Sequence, residues 1–168
     1  RRMLASGHAW RIRRAAWIVY GAGCAVAVAG WIYRWCHAGH VPLQNLFEVF
    51  LTLGALMFPI TLFSRRFLNV GLEWGDALIG VGVLVPAGFV FSADPKMLPP
   101  ALQWWLFVPH VAAYMLSYVI MWKAMFQAGR TLVVRRERRP AAERDTHAVV
   151  RLGFPLLTLG LVLGAVWG

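Results

Sequence analysis

Five apolar stretches, each close to the length needed to cross a bilayer, divide the sequence at 15–33, 46–63, 77–92, 104–126 and 149–167. A hydrocarbon core of ~30 Å needs ~20 helical residues. The third stretch is short and rich in glycine, and the fifth carries Arg151 and Pro155 near its start. Only 14% of the residues are charged, whereas a soluble domain carries about a quarter, so a soluble fold is excluded. The sequence predicts an all-α, polytopic transmembrane helical bundle with about five spans.

The bundle is expected to form a single transmembrane domain over residues 1–168, because no repeat and no Ser/Gly-rich linker divides the chain. The chain begins at Arg1 rather than at methionine, and it stops at Gly168, at the end of an apolar segment. We therefore expect a fragment, a processed chain or the ordered part of a longer protein.

The basic residues predict the orientation of the bundle. With the N-terminus in the cytoplasm, 15 of the 17 Lys and Arg residues fall on the cytoplasmic side, and only Arg34 and Lys96 fall outside. This bias accounts for the formal net charge of +10. The charges flank membrane helices and do not form one surface with groups that read or stack on bases. We therefore expect contact with the lipid bilayer and no nucleic-acid partner.

Residues 130–148 carry much of this charge and are predicted to form a basic cytoplasmic juxtamembrane segment. Its helix is expected to break near Pro140 and to lie on anionic headgroups. Lys123, just before this segment, is interpreted as the marker of the inner end of the fourth span.

The two cysteines do not form a disulfide framework. Cys24 is expected inside the first helix and Cys36 in the loop that follows, 12 residues further on. That separation is ~18 Å along a helix, whereas a disulfide needs Cα atoms within ~7 Å. Neither cysteine belongs to a CxxCH motif, and neither receives a role.

The stretch "WCHAGHVPLQNLFEVF" (35–50) places polar side chains at the outer edge of the second span. Asn45 and Glu48 fit the N-cap and third positions of a helix, a variant of the capping box. Alternatively, Glu48 faces a buried polar site, because acids in a membrane bundle usually face inward. His37 and His40 have no third and fourth ligand nearby, so no dedicated transition-metal site is predicted.

His110 is the one histidine inside a predicted span. It lies ~9 Å into the span if the helix starts near Trp104, or at the surface if Pro109 occupies the first turn. Tyr114, Ser117 and Tyr118 follow on the same face, and such a stripe should face protein or a cavity. From the residues alone, His110 is either a ligand or a histidine hydrogen-bonded between helices.

Three stretches, in this order, resemble the CcsA/ResC branch of the cytochrome c assembly proteins. They are "GHVPLQNLFEVF" (39–50), "LPPALQWWLFVPHVAAYMLSY" (98–118) and "LGFPLLTLGLVLGAVW" (152–167). The first is a family motif at the outer face, and its matching positions are Gly39, His40, Pro42, Asn45 and Glu48.

This resemblance implies haem binding and delivery for covalent attachment to c-type cytochromes at the outer face of the membrane. His110 matches the first haem-flanking histidine and is expected to be an axial ligand of haem b, the only metal site implied. Trp104, Trp105 and Tyr114 would surround the haem. In the family, "GAVW" leads into a tryptophan-rich segment, so the haem site within this chain is expected to be incomplete. No catalytic residue is assigned.

The resemblance also implies partners and a location. The partners are an apocytochrome c, a ResB-type membrane protein and other membrane subunits. The location is the bacterial inner (plasma) membrane. The chain would be a component of a haem-attachment system that forms thioether bonds, as a haem lyase does.

Two other functions compete with this one. A b-type cytochrome that carries electrons across the membrane needs histidine pairs in both leaflets, and no predicted span has an inner-leaflet histidine. A non-catalytic structural subunit or assembly scaffold of a larger complex is the remaining alternative.

Overall fold

The computed structural model describes residues 2–94, 97 and 99–167, with side chains from Trp10 onward except those of Ala101 and Trp167. Five α-helices follow one another: α1 Arg2–Ala38, α2 Leu46–Phe63, α3 Glu73–Phe89, α4 Phe107–Val133 and α5 Arg139–Trp167. A π-helical turn, Ser64–Leu68, extends α2, and 3-10 turns at Pro100–Gln103 and Arg136–Arg138 precede α4 and α5. The described part of the chain contains no strand, which confirms the all-α prediction.

Three of these helical segments are long and apolar enough to cross a membrane: Trp10–Ala38, Leu46–Leu68 and Arg136–Val166. They correspond to the first, second and fifth predicted spans, and they support a helical membrane bundle. Helix α3 has only 17 residues. Helix α4 has 27 residues but carries Ser117, Lys123 and Gln127 on its buried face. For α3 and α4, membrane crossing therefore stays a prediction.

Helix α1 is longer than the apolar stretch inside it, and this changes the position of Cys36. The helix continues to Ala38, so Cys36 is an exposed helical residue. Its predicted place in a loop is wrong, because polar and aromatic residues past 33 continue the helix until Gly39. Cys24 is buried, and its Sγ lies 3.4 Å from the carbonyl oxygen of Ala55 on α2.

The basic segment at 130–148 breaks a few residues before Pro140. Helix α4 ends at Val133, and Val134 has the extended conformation. Helix α5 begins at Arg139 and continues without interruption, so Pro140 lies in its first turn. A proline there removes no helical hydrogen bond, because the first N–H groups of a helix have no partner within it. The break that was predicted near Pro140 lies just before it, between Val133 and Arg139, and Pro140 belongs to the start of the next helix.

Small residues let the helices pack closely. A Cβ atom at Gly54 of α2 would clash with the side chain of Leu84 on α3, and one at Gly153 of α5 would lie 2.9 Å from Ile120 Cγ2 on α4. Helices α4 and α5 run antiparallel. The main core lies between α2, α3 and α4 and contains Leu43, Leu53, Met57, Val83, Phe107, Met115 and Val119.

The bundle has two ends, which we name after one arginine each. At the Arg34 end, α1 and α3 finish and α2 and α4 begin, and Gln44 Nε2 donates to Met97 O (2.7 Å) across the two connections. At the Arg65 end, α2 and α4 finish and α3 and α5 begin, and Arg65 Nη1 lies 3.1 Å from Glu73 Oε1. The charge bias predicts that the Arg34 end faces outward. Lys96, one of the two cations predicted there, is outside the described residues.

Cysteine labelling tests this orientation. Cys36 is exposed at the Arg34 end, whereas Cys24 is buried. A membrane-impermeant maleimide added to intact cells is expected to modify Cys36, with the modified peptide identified by mass spectrometry. Cys36→Ser is the control and should lose that peptide. Modification of Cys36 only after the cells are opened would reverse the predicted topology.

Candidate functional site

His110 lies in the first turn of α4, and its imidazole points at α5. The helix begins at Phe107, so Pro109 occupies the first turn, where its missing N–H costs no helical hydrogen bond. The backbone N–H of His110 donates to Leu106 O (3.0 Å). The ring Nδ1 lies 2.8 Å from the carbonyl oxygen of Gly160. Because a carbonyl only accepts, Nδ1 carries the proton in this contact, and in the neutral ring the lone pair is on Nε2.

The two glycines of the G-x-x-x-G motif in α5 form the surface on which this imidazole rests. A Cβ atom at Gly164 would lie 2.5 Å from His110 Cε1 and 2.9 Å from its Nδ1. A Cβ atom at Gly160 would lie 3.0 Å from Tyr114 Cδ1. Side chains at these two positions would exclude both rings. Hence the motif packs helices together, as predicted for small residues in membranes, and it also holds a histidine.

The polar stripe of α4 faces α5 over most of its length. The imidazole of His110 and the ring of Tyr114 form an edge-on pair with centroids 4.7 Å apart. Ser117 is buried, and its hydroxyl donates to Gly153 O (3.1 Å). Tyr118 stacks on Tyr114 but is 41% exposed. The stripe therefore faces protein at His110, Tyr114 and Ser117, and its last member, Tyr118, departs from the prediction.

Trp104 and Trp105 lie in the turn that leads into α4. They follow the 3-10 turn Pro100–Gln103, and the carbonyl oxygen of Trp104 accepts from the N–H of Phe107 (3.0 Å). Their side chains are 45% and 71% exposed. The structure thus places two large aromatic surfaces at the Arg34 end, on the connection that leads to His110.

The outer-face motif forms the turn between α1 and α2. Gly39 has φ +71°, a conformation that glycine adopts without strain, and its N–H donates to Trp35 O (3.0 Å). His40 turns its Nδ1 to the carbonyl oxygen of the next residue (3.0 Å). Pro42 is buried, and its carbonyl accepts from the hydroxyl of Thr52 (3.2 Å). These residues hold a turn in shape.

Glu48 is the centre of that turn and is fully buried. Asn45 caps α2 by accepting from the N–H of Glu48 (2.9 Å), and Glu48 Oε2 accepts from the N–H groups of Gln44 (2.8 Å) and Asn45 (3.4 Å). The predicted capping box is confirmed. Glu48 Oε1 also pairs with Arg34 Nε at 2.8 Å. The two alternatives for Glu48 are therefore both realised.

The same turn also contacts the connection between α3 and α4. Arg34 Nη1 donates to the carbonyl of Ala93, and Gln44 Nε2 donates to that of Met97 (2.7 Å). The motif thus positions the connection that continues to Trp104, Trp105 and α4. Sequence reasoning counted Arg34 only as a cation on the outer side, and it missed this contact.

A second buried polar cluster lies toward the Arg65 end and joins four helices. Lys123 of α4 pairs with Asp76 Oδ2 of α3, and both are 1% exposed. The hydroxyl of Thr61 on α2 donates to the same carboxylate oxygen (2.9 Å) and lies 3.2 Å from the hydroxyl of Tyr20 on α1. We call these four residues the Asp76 cluster.

The Asp76 cluster extends to the turn between α2 and α3. Gly71 O accepts from Lys123 Nζ (3.2 Å) and from Gln127 Nε2 (2.8 Å). Asn69 and Leu72 in this turn have φ +55° and +79°. Leucine rarely adopts such a conformation, and strain of this kind persists only where the surroundings determine it. The side chains of α4 therefore hold the turn.

Sequence reasoning missed this cluster and misread one of its members. Lys123 was expected to mark the inner end of a span, but it is buried and paired with an acid. Its charge is thus compensated inside the protein. The signal was present in the sequence, because Asp76 immediately precedes the third apolar stretch and Lys123 lies inside the fourth, and ionisable residues of membrane segments usually pair.

Metal-ligand clusters are not found in the part of the chain that the structure describes. Among the residues whose side chains the structure describes, 10–94, 97, 99–100 and 102–166, no three His, Cys, Asp or Glu side chains converge. His37 Nδ1 lies 3.0 Å from Tyr33 O on its own helix. For an iron porphyrin, which needs one or two axial side chains rather than a cluster, His110 is the candidate.

Comparison with protein-family models assigns the chain to a family. The family model for the cytochrome c assembly protein matches residues 16–168. The chain belongs to the cytochrome c assembly protein family. The match includes all the motif positions at 39–50, His110, and the glycines of α5.

Several curated relatives match most of this chain. A "Cytochrome c biogenesis protein CcsA" of Chlamydomonas reinhardtii is 27% identical over 167 residues, covering 89% of this chain and 47% of that protein. Proteins of the same name from Cycas taitungensis (27%) and Prochlorococcus marinus strain MIT 9215 (28%) each cover 81% of this chain, and 60% and 56% of the relatives. The chain spans about half the length of the curated relatives it matches.

The buried pair gives a stability prediction. Lys123→Met is expected to lower the free energy of unfolding by about 3–5 kcal/mol, because it leaves Asp76 buried without its cation. Thermal melting of the detergent-purified protein measures this loss.

Two further variants, a rescue and a control, are needed to interpret the melting result. Combining Lys123→Met with Asp76→Asn should recover most of the loss, because no buried charge then remains unpaired. Arg138→Met, which removes an exposed cation, should melt like the wild type. If Lys123→Met melts at the same temperature as Arg138→Met, the pair does not stabilise the bundle.

Proposed function

We propose that this chain acts in cytochrome c biogenesis by binding haem at the Arg34 end, with His110 as one axial ligand. Membership of the cytochrome c assembly protein family supports the process. The observation that carries the proposal is the hydrogen bond from His110 Nδ1 to Gly160 O (2.8 Å). A histidine that ligates a metal usually donates its other ring N–H to a carbonyl or carboxylate, which fixes the tautomer and orients the ring.

The two glycines of α5 also support a role of His110 as an axial ligand, because they orient its ring. Gly160 and Gly164 let the ring lie against the helix backbone, so its orientation depends on main-chain atoms that do not change rotamer. The edge of Tyr114 restrains the ring from the adjacent turn. His110 is half-buried, which suits an axial ligand for a haem that must later be passed on.

Trp104, Trp105 and Tyr114 are proposed to surround the macrocycle. The two tryptophans present exposed aromatic surface on the connection before His110, and flat rings stack on such surfaces. The outer-face motif is proposed to act indirectly. His40 and Glu48 bond within the turn, so they position the connection and do not ligate iron.

In this proposal haem b is cargo rather than a resident cofactor. Bound haem supplies vinyl groups that take up the cysteine thiols of an apocytochrome CxxCH. The residues of this chain bind and orient it. The proposed partners are an apocytochrome c, a ResB-type protein and other membrane subunits, at the outer face of a bacterial plasma membrane. The chain would be one component of the haem-attachment system.

The contact between His110 and Gly160 is also compatible with a scaffold function. A hydrogen bond between His110 and Gly160 can simply join α4 to α5. The two functions differ in what happens when the imidazole is removed, since a packing histidine affects stability and an axial ligand affects the haem spectrum.

The first test replaces the imidazole. In the protein as encoded, His110→Ala is expected to weaken haem retention roughly tenfold or more and to impair cytochrome c maturation. The readout is the Soret absorbance per mole of purified protein. Added imidazole should partly restore the spectrum, because it can occupy the vacated axial position.

His147→Ala is the matched control. His147 is an exposed histidine near the start of α5, and its loss should leave haem content and maturation unchanged. If His110→Ala keeps a normal Soret band and still matures cytochrome c, His110 is a packing residue and the scaffold function stands.

The second test moves the imidazole without removing it. Gly164→Ala places a methyl group 2.5 Å from the His110 ring, so the ring must leave the Gly160 carbonyl. Haem affinity is expected to fall about tenfold, as when an outer-shell partner of a metal ligand is lost. Gly88→Ala, at a helical glycine with open space around it, is the control. Equal haem titrations for the two variants would show that the Gly160 contact does not orient the ligand.

A further inference from the structure

A cavity of about 370 Å³ lies at the Arg65 end, between α1 and α2. Arg14 and Trp17 of α1 and Leu62 and Arg65 at the end of α2 line it. Two guanidinium groups therefore line one opening together with an indole and a leucine. We call this opening the arginine cavity.

The charge of the arginine cavity is only partly compensated. The guanidinium of Arg65 lies 4.9 Å above the ring of Trp17, and its Nη1 is 3.1 Å from Glu73 Oε1. Arg14 lies over the ring of Trp10 at 5.4 Å. Within the described residues, no carboxylate is in salt-bridge distance of Arg14. The cavity thus carries a net positive charge and attracts an anion.

Apolar surface adjoins the two arginines on the side toward the middle of the helices. Leu62 is 44% exposed and Ile18 is 61% exposed. Phe58 closes the space between α1 and α2, with its ring edge-on to that of Trp17 at 5.7 Å. A ligand with an anionic head and a hydrocarbon tail would match both parts, whereas a small soluble anion would match only the arginines.

The position of the cavity along the helices indicates a lipid. Helices α1 and α2 are both long and apolar enough to cross a membrane, and Arg14 and Arg65 lie near the ends of these segments. Basic pockets between membrane helices bind the headgroups of anionic phospholipids. A second cavity of about 340 Å³, between α3 and α4, also contains an arginine. That residue, Arg130, pairs with Asp145 at 3.0 Å, so its charge is cancelled.

We propose that the arginine cavity binds one anionic phospholipid. The phosphate lies between the guanidinium groups of Arg14 and Arg65, and an acyl chain follows Ile18 and Leu62 toward the centre of the bilayer. The indole of Trp17 holds Arg65 in place beneath the headgroup. The site is separate from His110, which lies at the Arg34 end, and it does not depend on haem binding.

Native mass spectrometry of the detergent-purified protein, titrated with phosphatidylglycerol, tests the proposal. The wild type is expected to retain one phosphatidylglycerol molecule and to bind phosphatidylcholine more weakly. The double variant Arg14→Gln/Arg65→Gln should bind phosphatidylglycerol about thirtyfold more weakly, and each single variant about fivefold more weakly. The single variants keep the test interpretable if the double variant does not fold.

Arg11→Gln/Arg13→Gln is the matched control. These arginines lie on the same helix within three residues of Arg14 but do not line the cavity, so phosphatidylglycerol affinity should stay within about twofold of the wild type. Equal losses in the two double variants would show diffuse attraction of lipid to basic residues and overturn the site. Inorganic phosphate that displaces phosphatidylglycerol from the wild type would show a soluble anion site and overturn the lipid assignment.

Discussion

Buried charge pairs are the constraint on which the rest of this bundle depends. In the interior of a bilayer no water is available to solvate a polar group, so each charge must find its partner within the protein. Lys123 and Asp76 do so near the Arg65 end, and Arg34 and Glu48 do so at the Arg34 end. The first pair joins α3 to α4 and the second joins α1 to α2, and the hydroxyl of Thr61 on α2 donates to Asp76 and so links the two sets. Apolar packing alone gives such helices little preference for one arrangement, because lipid is as apolar as their side chains.

Helix α5 is held by a different means. Its small residues let α4 approach closely, and Ser117 and His110 of α4 donate to carbonyl groups of Gly153 and Gly160. Gly153 and Gly160 have no side chain, so α4 comes close enough at these positions to donate to their carbonyl groups. The geometry that joins the two helices therefore also orients the imidazole. Structure and proposed function depend on the same contact, and for this reason variants must separate stability from haem binding.

The two ends of the bundle differ in chemistry. At the Arg34 end, the turn centred on Glu48 fixes the connection that carries Trp104 and Trp105 and leads to His110. At the Arg65 end, arginines and tryptophans border the apolar part of the helices and suit contact with lipid headgroups. The proposed haem site and the proposed lipid site therefore lie at opposite ends of the bundle.

Local patterns in the sequence predicted the local structure well. The apolar stretches gave the five helices, and the spacing of Asn45 and Glu48 gave the capping box, because both depend on residues near one another in the chain. The pairs Arg34–Glu48 and Asp76–Lys123 could not be predicted in this way. Counting Lys123 and Arg34 as topology signals treats each cation alone, whereas its partner is set by packing between distant residues. The exact position of the break between α4 and α5 was also not predicted. Proline is compatible with a helix start as well as with a break, so Pro140 alone does not locate the end of α4 at Val133.

The central claim is that His110 binds haem iron while Gly160 orients the ring. A cryo-EM structure of the protein as encoded, determined with haem bound, tests it most directly. The account predicts a macrocycle at the Arg34 end, with its iron bonded to His110 Nε2 and with Nδ1 still on the carbonyl of Gly160. Iron bonded to other side chains, with the His110 ring still packed on α5, would contradict it.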